Sequence, residues 1–232
     1  MSEKAIKPEA TSVYSRIVSY AEEGYARFTE ALNPTLSPDS IIGVRVPTLR
    51  KIVRTLTEYE REELLSTLPH GYLEEYLLHI FIINGIKDIG AASAAVDRLL
   101  PYLESWCETD CLLPRAYKKG CPELLRDIYR WLKSSSEFTV RYAIVLLMKL
   151  YLSESFDSSY PEAILSADLS SYYVGMAAAW YFATALFTNY AEVIGYIENR
   201  RLPEDIHRKA IRKALESYRI SPETKAYLKS LI

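Results

Sequence analysis

Trp106 and Asp110 stand four positions apart in the segment ESWCETD. If this segment is helical, residues i and i+4 share one face, so an indole ring and a carboxylate lie side by side. Such a pair suits a site that receives a flat, positively charged group, because the ring face and the carboxylate both attract cations. The same spacing also occurs where a tryptophan is in the core and an aspartate caps a neighbouring helix. Both interpretations stay open at this point.

Arg141 and Trp180 lie in apolar surroundings. Arg141 interrupts the run FTVRYAIVLLM, and a buried guanidinium without a partner is very costly. It therefore either forms an ion pair between helices or opens onto a groove. Trp180 follows GMAAA, whose small residues allow another helix to approach closely and leave the indole prominent. The alternative for Trp180 is ordinary core packing.

The segment GVRVPTLRKIVR (43–54) is basic and contains no acidic residue. Its cations are Arg45, Arg50, Lys51 and Arg54. A helix N-terminus next to four cations is suited to binding phosphate groups. A solvated helix face is the alternative.

The net charge of −2, from 28 basic and 30 acidic residues in 232, conceals an uneven distribution. Residues 200–232 contain 9 basic and 4 acidic residues, whereas 121–199 contain 5 and 9. The cations at the start of this last segment are Arg200, Arg201, Arg208, Lys209, Arg212 and Lys213. Near-neutrality excludes a protein coated all over with basic residues. One-sided charge, however, is what a nucleic-acid backbone requires.

The chain has 3 cysteines and 3 histidines, and their spacing indicates no metal site. We therefore expect buried or bystander thiols, no metal, no cofactor, and a cytoplasmic location. Residues 1–12 are polar and contain no apolar signal segment. Residues 169–191 are uncharged but contain Ser, Thr, Asn and Tyr, which favours a buried core helix over a membrane span.

Helical periodicity recurs along the chain, and glycine is scarce, with 8 residues in 232. Prolines stand where first helical turns tolerate them, with Ser37 and Ser221 as predicted N-caps. The predicted helices span 10–32, 39–57, 60–67, 72–86, 90–103, 106–119, 122–133, 136–152, 160–166, 171–188, 190–199, 203–217 and 221–231. Short helices with short links are typical of a two-layer α-solenoid of degenerate repeats. We expect an all-α, curved solenoid that forms one monomeric domain over 1–232, with 1–10 as a flexible tail.

Several segments in order and spacing resemble the AlkD-like DNA alkylation repair proteins. The segments are GVRVPTLRKIV (43–53), LPHGYLEEYLL (68–78), ESWCETDCL (104–112), SSSEFTVRYAIVLL (134–147), SYYVGMAAAWYFATALF (171–187) and IRKALESYRISPETKAYLK (211–229). The resemblance covers residues 14–230 and implies an all-α glycosylase built of HEAT-like repeats. It also implies duplex DNA bound on a concave face, with excision of cationic N3- or N7-alkylated purines without deep base flipping.

The resemblance assigns roles to the residues already singled out. Trp106 and Asp110 match the family's Trp-x-x-x-Asp pair, and Arg141 and Trp180 match its arginine and later tryptophan. By this resemblance Asp110 stabilises an oxocarbenium-like sugar and orients water, the two tryptophans cradle the lesion, and Arg141 holds a phosphate. The resemblance also implies that the basic residues of 43–54 and 208–213 bind the flanking phosphates.

Active members of that family have an extra short helix before the Gly-x-Arg/Gln-x-Pro segment, which supplies an aromatic side chain. The predicted single helix over 10–32 places this chain closer to a shorter subgroup that lacks it. Tyr25 and Phe28 are the candidate aromatic residues. Two other functions remain open: a protein that binds altered or branched DNA without excision, and a protein-binding scaffold. The scaffold predicts that Arg141, Trp106 and Trp180 are fully buried.

Overall fold

The computed structural model describes residues 12–118 and 120–232, so the predicted tail at 1–10 lies outside the described residues. All regular secondary structure in these ranges is helical, which confirms the all-α prediction. The chain divides into two compact units, Met1–Ala116 and Tyr117–Ile232. The single domain and the curved solenoid stay predictions.

The first unit is organised around α5, a largely apolar helix whose side chains are mostly buried. Helices α3, α4, α6 and α7 pack against it, and α1 packs against α3. The α-helices among the described residues of this unit are α1 (Ser12–Val18), α2 (Glu23–Leu32), α3 (Val46–Thr55), α4 (Glu58–Ser66), α5 (Leu73–Ile83), α6 (Ile89–Leu99) and α7 (Trp106–Cys111).

The second unit is organised around α11, which packs against α9, α12 and α13. Its helices in the described part of the chain are α8 (Pro122–Trp131), α9 (Glu137–Leu150), α10 (Ser159–Leu165), α11 (Tyr172–Thr188), α12 (Tyr190–Glu198), α13 (Glu204–Glu216) and α14 (Pro222–Ser230). The small residues Gly175 and Ala177–Ala179 are buried and let neighbouring helices approach; a Cβ at Gly175 would lie 3.5 Å from Ile206. None of the helices described is long and apolar enough to cross a membrane.

The single helix expected over 10–32 is wrong, because α1 ends at Val18 and α2 begins at Glu23. The break follows from a contact that is remote in sequence: the N–H of Glu22 donates to the carbonyl oxygen of Gly43 at 3.0 Å. That bond holds Glu22 in an extended conformation, so it cannot continue a helix. The chain therefore has a separate second helix ahead of 43–54.

Two other predicted helices are too long. Residues 41–45 form no helix before α3, and ahead of them only Pro38–Ser40 forms a 3-10 turn. The helix expected over 106–119 ends at Cys111. There the side chain of Asn84 donates to the carbonyl oxygen of Cys111 at 2.8 Å and accepts the N–H of Leu113 at 2.6 Å, which replaces helical hydrogen bonds.

The two predicted serine N-caps have different outcomes. Ser221 accepts the N–H of Thr224 at 3.2 Å and caps α14, as expected. Ser37 precedes only the 3-10 turn, and its side chain makes no capping hydrogen bond.

Two histidines form a contact at α5: half-buried His70 precedes the helix, and buried His79 lies within it. His70 Nε2 is 2.9 Å from His79 Nδ1, and the ring of Tyr76 meets His70 edge-on. Burial, together with the neighbouring His79, lowers the pKa of His70 to about 3. Burial and the positive charge of Arg98 lower the pKa of His79 to about 4. Both rings are therefore neutral in the folded protein at neutral pH.

We expect this pair to make the protein acid-sensitive. Below pH 6.5 both histidines become protonated in the unfolded chain but stay neutral in the folded protein. The free energy of unfolding is therefore highest above pH 6.5 and falls as the pH is lowered towards 4. The slope is about 1.4 kcal/mol per pH unit for each extra proton bound by the unfolded chain. Denaturant unfolding between pH 7.5 and 4.5 measures it, with His70→Gln/His79→Leu as the comparison. Equal pH slopes in the two proteins would contradict the assignment.

Candidate functional site

A cavity of about 250 Å³ opens between α2 and α7 in the first unit. The sequence candidates Tyr25, Phe28, Trp106 and Asp110 all line it. The other lining residues are Thr29, Leu32, Asn33, Val44, Val46, Leu73, Glu74, Leu77, Cys107 and Cys111. The walls are thus aromatic or aliphatic for the most part, with carboxylates on two sides. The cavity therefore combines the flat rings and the negative charge that the sequence pattern predicted for Trp106 and Asp110.

The short helix α7 is held by a buried carboxylate at its start. Glu108 Oε2 accepts the N–H groups of Glu104 at 2.9 Å and Ser105 at 2.8 Å. Those amides precede or begin the first turn and have no partner within the helix. Glu108 is only 1% exposed, and burial raises its pKa to about 7. The direction of α7, and hence of Trp106 and Asp110, depends on this cap.

Trp106 joins α7 to the end of α2. Its indole Nε1–H donates to the carbonyl oxygen of Leu32 at 2.8 Å. Leu32 is the last residue of α2, so its carbonyl lacks a helical partner. The indole N–H is therefore used within the protein, while the half-buried ring lines the cavity.

Arg45 is already paired before any ligand is considered. Its Nε donates to Glu22 Oε1 at 2.9 Å and its Nη2 to Glu22 Oε2 at 3.0 Å. The guanidinium carbon also lies 4.7 Å from the ring centre of Tyr25. The hydrogen bonds from Arg45 lower the pKa of Glu22. The segment 43–54 contains no acidic residue, which suggested that its cations are unpaired. Arg45 is nevertheless paired, because Glu22 reaches it from the turn before α2.

Sequence reasoning missed Glu74 and the conformation of Gly43. The Glu74 carboxylate is 2% exposed and accepts the N–H groups of Ile42, Gly43 and Val44 at 3.0, 2.7 and 3.1 Å. Gly43 has φ +92°, in the left-handed region that favours glycine. The carbonyl oxygen of Gly43 in turn accepts the N–H of Glu22, which precedes α2. Glu74 on α5 therefore positions α2 by holding the segment 42–44. No spacing rule in the sequence connects position 74 with position 43.

The remaining cations of α3 form the α3 basic face, which consists of Arg50, Lys51 and Arg54. All three are exposed. The guanidinium carbon of Arg50 lies 4.5 Å from the ring centre of Phe81. Among the described residues, these three side chains form no ion pair. They are available to an anion.

Arg141 and Trp180 belong to the second unit. Arg141 is 4% exposed and its Nη1 donates to the carbonyl oxygen of Tyr173, at the start of α11, at 3.2 Å. This burial favours an anchor between α9 and α11 over the phosphate contact implied by the resemblance. Trp180 is half-buried on α11.

The C-terminal cations are partly neutralised by acids of their own unit. Arg208 pairs with Glu204 at 3.3 Å, and Lys209 pairs with Asp205 at 3.0 Å. Arg200 and Arg201 are likewise paired with acidic side chains. Arg212 and Lys213 form no ion pair within the part of the chain described. The positive charge left on α13 therefore comes mainly from its later turns.

The three cysteines lie in different surroundings, and burial makes one of them unreactive. Cys107, Cys111 and Cys121 form no disulfide among the described residues. Burial raises the pKa of Cys107 to about 12, which disfavours the reactive thiolate. Within 12–118 and 120–232, no group of three or more His, Cys, Asp or Glu side chains is placed to hold a metal ion.

Comparison with known families identifies the chain. The sequence model of the family described as DNA alkylation repair enzyme matches residues 17–218. Comparison with curated proteins gives no match. The family match runs from the end of α1 to beyond α13 and includes all four residues of the resemblance, Trp106, Asp110, Arg141 and Trp180. The chain therefore belongs to the DNA alkylation repair enzyme family.

Proposed function

We propose that this protein is a DNA glycosylase that hydrolyses the N-glycosidic bond of cationic N3- or N7-alkylated purines in duplex DNA. The observation that carries the proposal is the cavity at which Trp106, Asp110, Tyr25 and Phe28 meet, in a chain of this family. Excision proceeds without flipping the base into a deep pocket. No metal or cofactor takes part.

The reaction requires electrostatic stabilisation of the transition state rather than a strong nucleophile. N-alkylation makes the purine a cation and a good leaving group, and its departure leaves an oxocarbenium-like sugar. The carboxylate of Asp110 stabilises that charge and orients the attacking water, as carboxylates do at other glycosidic centres. The ring of Trp106 holds the lesion or sugar edge through a cation–π contact, worth about 0.5–2 kcal/mol. Lesion selection therefore depends mainly on the leaving group.

The separate helix α2 supports excision over simple binding. In active family members an additional helix before the Gly-x-Arg/Gln-x-Pro segment supplies an aromatic side chain. Here α2 stands in that place and presents Tyr25 and Phe28 to the cavity. The similarity to the shorter subgroup depended on a single helix over 10–32, and the chain has two helices there. The protein-binding scaffold predicted that three side chains are fully buried; Arg141 is buried, whereas Trp106 and Trp180 are only half-buried.

The direct test uses duplex DNA that contains a single N7-methylguanine or N3-methyladenine. Released base is measured by chromatography, and the abasic site by alkaline strand cleavage. We expect time-dependent release by the protein that exceeds the spontaneous loss. Release no faster than the spontaneous loss in buffer would exclude the glycosylase.

The second candidate is a DNA-binding protein without excision activity, for altered or branched DNA. The exposed α3 basic face favours DNA binding in either case. We expect affinity for duplex DNA to fall with salt, with a slope of about −0.9 in log K against log salt for each phosphate neutralised. The double substitution Lys51→Ala/Arg54→Ala should reduce that slope by about 2 at most, with similar loss on all sequences.

A matched control for this prediction is Lys87→Ala, since Lys87 is exposed in the same unit but lies outside the α3 basic face. Fluorescence anisotropy with labelled duplex between 50 and 300 mM salt provides the measurement. A slope that is unchanged in the double variant would remove this face from the DNA contact. Salt-independent affinity of the unmodified protein would reject DNA binding.

A further inference from the structure

Two aromatic rings and one cation meet at the surface of the second unit, and the proposed function does not use them. Phe187 lies at the end of α11, and Tyr218 and Arg219 lie in the turn between α13 and α14; we call these three residues the turn patch. The guanidinium carbon of Arg219 is 5.3 Å from the ring centre of Phe187 and 5.7 Å from that of Tyr218. Both distances are within the range of cation–π contacts, so both rings hold the guanidinium in place.

The turn itself is fixed by its neighbours. Ser217 Oγ accepts the N–H of Arg219 at 3.2 Å, and Ser221 caps α14. Ile220 is only 6% exposed, whereas Tyr218 is 88% exposed. A ligand that covers the Tyr218 ring therefore orders one side chain and no backbone, which lowers the entropy cost of binding.

The charge of the turn patch defines one property of its ligand. Among the described residues Arg219 forms no ion pair, and neither do Arg212 and Lys213 near the end of α13. Residues 200–232 contain 9 basic and 4 acidic residues. A guanidinium without an acidic partner binds phosphate through its planar N–H groups. The ligand is therefore anionic.

The rings define a second property. Phe187 is 41% exposed and Tyr218 far more, and exposed aromatic faces stack on other flat rings. A phosphate with a flat ring beside it is a nucleotide. Within a duplex each base is covered by its neighbours in the stack, so only an unpaired base can stack on a side chain.

The position of Phe187 favours nucleic acid over an acidic protein. Seven residues make about two helical turns, so Phe187 lies about 10 Å beyond Trp180 on the same side of α11. The family resemblance implies that Trp180 faces DNA. A DNA strand that passes Trp180 along α11 therefore reaches the turn patch.

We propose that the turn patch binds an unpaired nucleotide of DNA, with the base stacked on Tyr218 and its phosphate held by Arg219. Phe187 keeps the guanidinium in position. The ligand class is duplex DNA that continues into unpaired bases, as at an overhang, a gap or a bulge. This inference rests on the DNA binding of the proposed function and not on excision.

The test compares labelled DNA ligands by fluorescence anisotropy with the full-length protein at one salt concentration. The first is a blunt duplex, the second has a short thymidine overhang, and the third has an abasic overhang of equal length. The two overhangs carry the same phosphates and differ only in the bases. We expect the thymidine overhang to bind about 5- to 100-fold more tightly than the abasic one, the usual effect of stacking a base on an aromatic side chain.

Substitutions in the turn patch locate this effect. Tyr218→Ala should remove the difference between the two overhangs and leave binding of the blunt duplex unchanged, whereas Tyr218→Phe should retain it. Arg219→Ala should reduce the salt slope for the thymidine overhang by about 0.7, the value for one phosphate of a single strand. Tyr59→Ala is the matched control, because Tyr59 is 73% exposed in the first unit, and it should keep the full difference.

Equal affinity for the thymidine and abasic overhangs, or a difference that persists in Tyr218→Ala, would overturn the proposal. An acidic peptide whose binding depends on Tyr218, in a protein without preference for bases, would also overturn it and assign the turn patch to a protein partner. The result is separate from that of excision. A protein that prefers the thymidine overhang but releases no alkylated purine retains the turn patch and refutes the glycosylase, and excision with equal affinities does the reverse.

Discussion

Asp110→Asn is expected to reduce excision of N7-methylguanine and N3-methyladenine on the order of 10²–10³-fold, the usual loss for a preorganised electrostatic group. The substitution keeps the size of the side chain and its ability to accept a hydrogen bond. It removes the negative charge that would face the oxocarbenium-like sugar. Affinity for unmodified duplex DNA should not fall, because Asp110 is an acid and holds no phosphate.

Single-turnover excision with excess protein measures this effect and separates it from DNA affinity. Asp39→Asn is the matched control, since Asp39 is an exposed aspartate of the same unit and does not line the cavity. It should excise as fast as the unmodified protein. If Asp110→Asn also retains full activity, the carboxylate is not the stabilising group and the proposed mechanism fails.

Gly43→Ala is expected to produce the largest loss of stability. Its φ of +92° is strained for any residue with a Cβ, at about 1–2 kcal/mol. A Cβ there would also lie 2.7 Å from both the Cβ of Ala26 and the carbonyl oxygen of Glu22, an overlap whose relief costs about 1–3 kcal/mol more. These backbone and near-backbone atoms cannot move aside without shifting α2. Unfolding in urea should therefore show a loss on the order of 2–5 kcal/mol.

The displaced α2 carries Tyr25 and Phe28, so excision should fall even at temperatures where the variant is folded. Gly24→Ala is the matched control on the same helix, because a Cβ at Gly24 meets nothing within 4 Å. It should be neutral or stabilising by about 0.5–1 kcal/mol, the usual gain for replacing a helical glycine. If both alanine variants are equally stable, the close approach of the 43–44 segment to α2 does not hold the helix in place.

The spacing of Trp106 and Asp110 could be interpreted from the sequence because helical periodicity acts over four residues. Both side chains line the same cavity, as that periodicity predicts. Tyr25 and Phe28 were named as candidates, yet the sequence could not place them. Their place depends on where α2 begins, and this is decided by the hydrogen bond from Glu22 to Gly43.

The errors have one physical cause. The helices predicted over 39–57 and 106–119 were too long because the prediction used local propensity alone. Glu74 binds backbone N–H groups ahead of α3, and Asn84 binds backbone groups at the end of α7, which a longer helix would use itself. Arg45 likewise pairs with an acid that is remote in sequence, Glu22, which local sequence could not reveal.

The sequence by itself determined the helical class, the family and the face shared by Trp106 and Asp110, because each depends on short-range periodicity or on the order of segments along the chain. Only the tertiary structure decided that α1 and α2 are separate, that Glu74 clamps the 42–44 segment and that Asn33 and Asp110 line one cavity. These features depend on hydrogen bonds and packing between residues that are 20 to 80 positions apart, and no local pattern encodes such pairings.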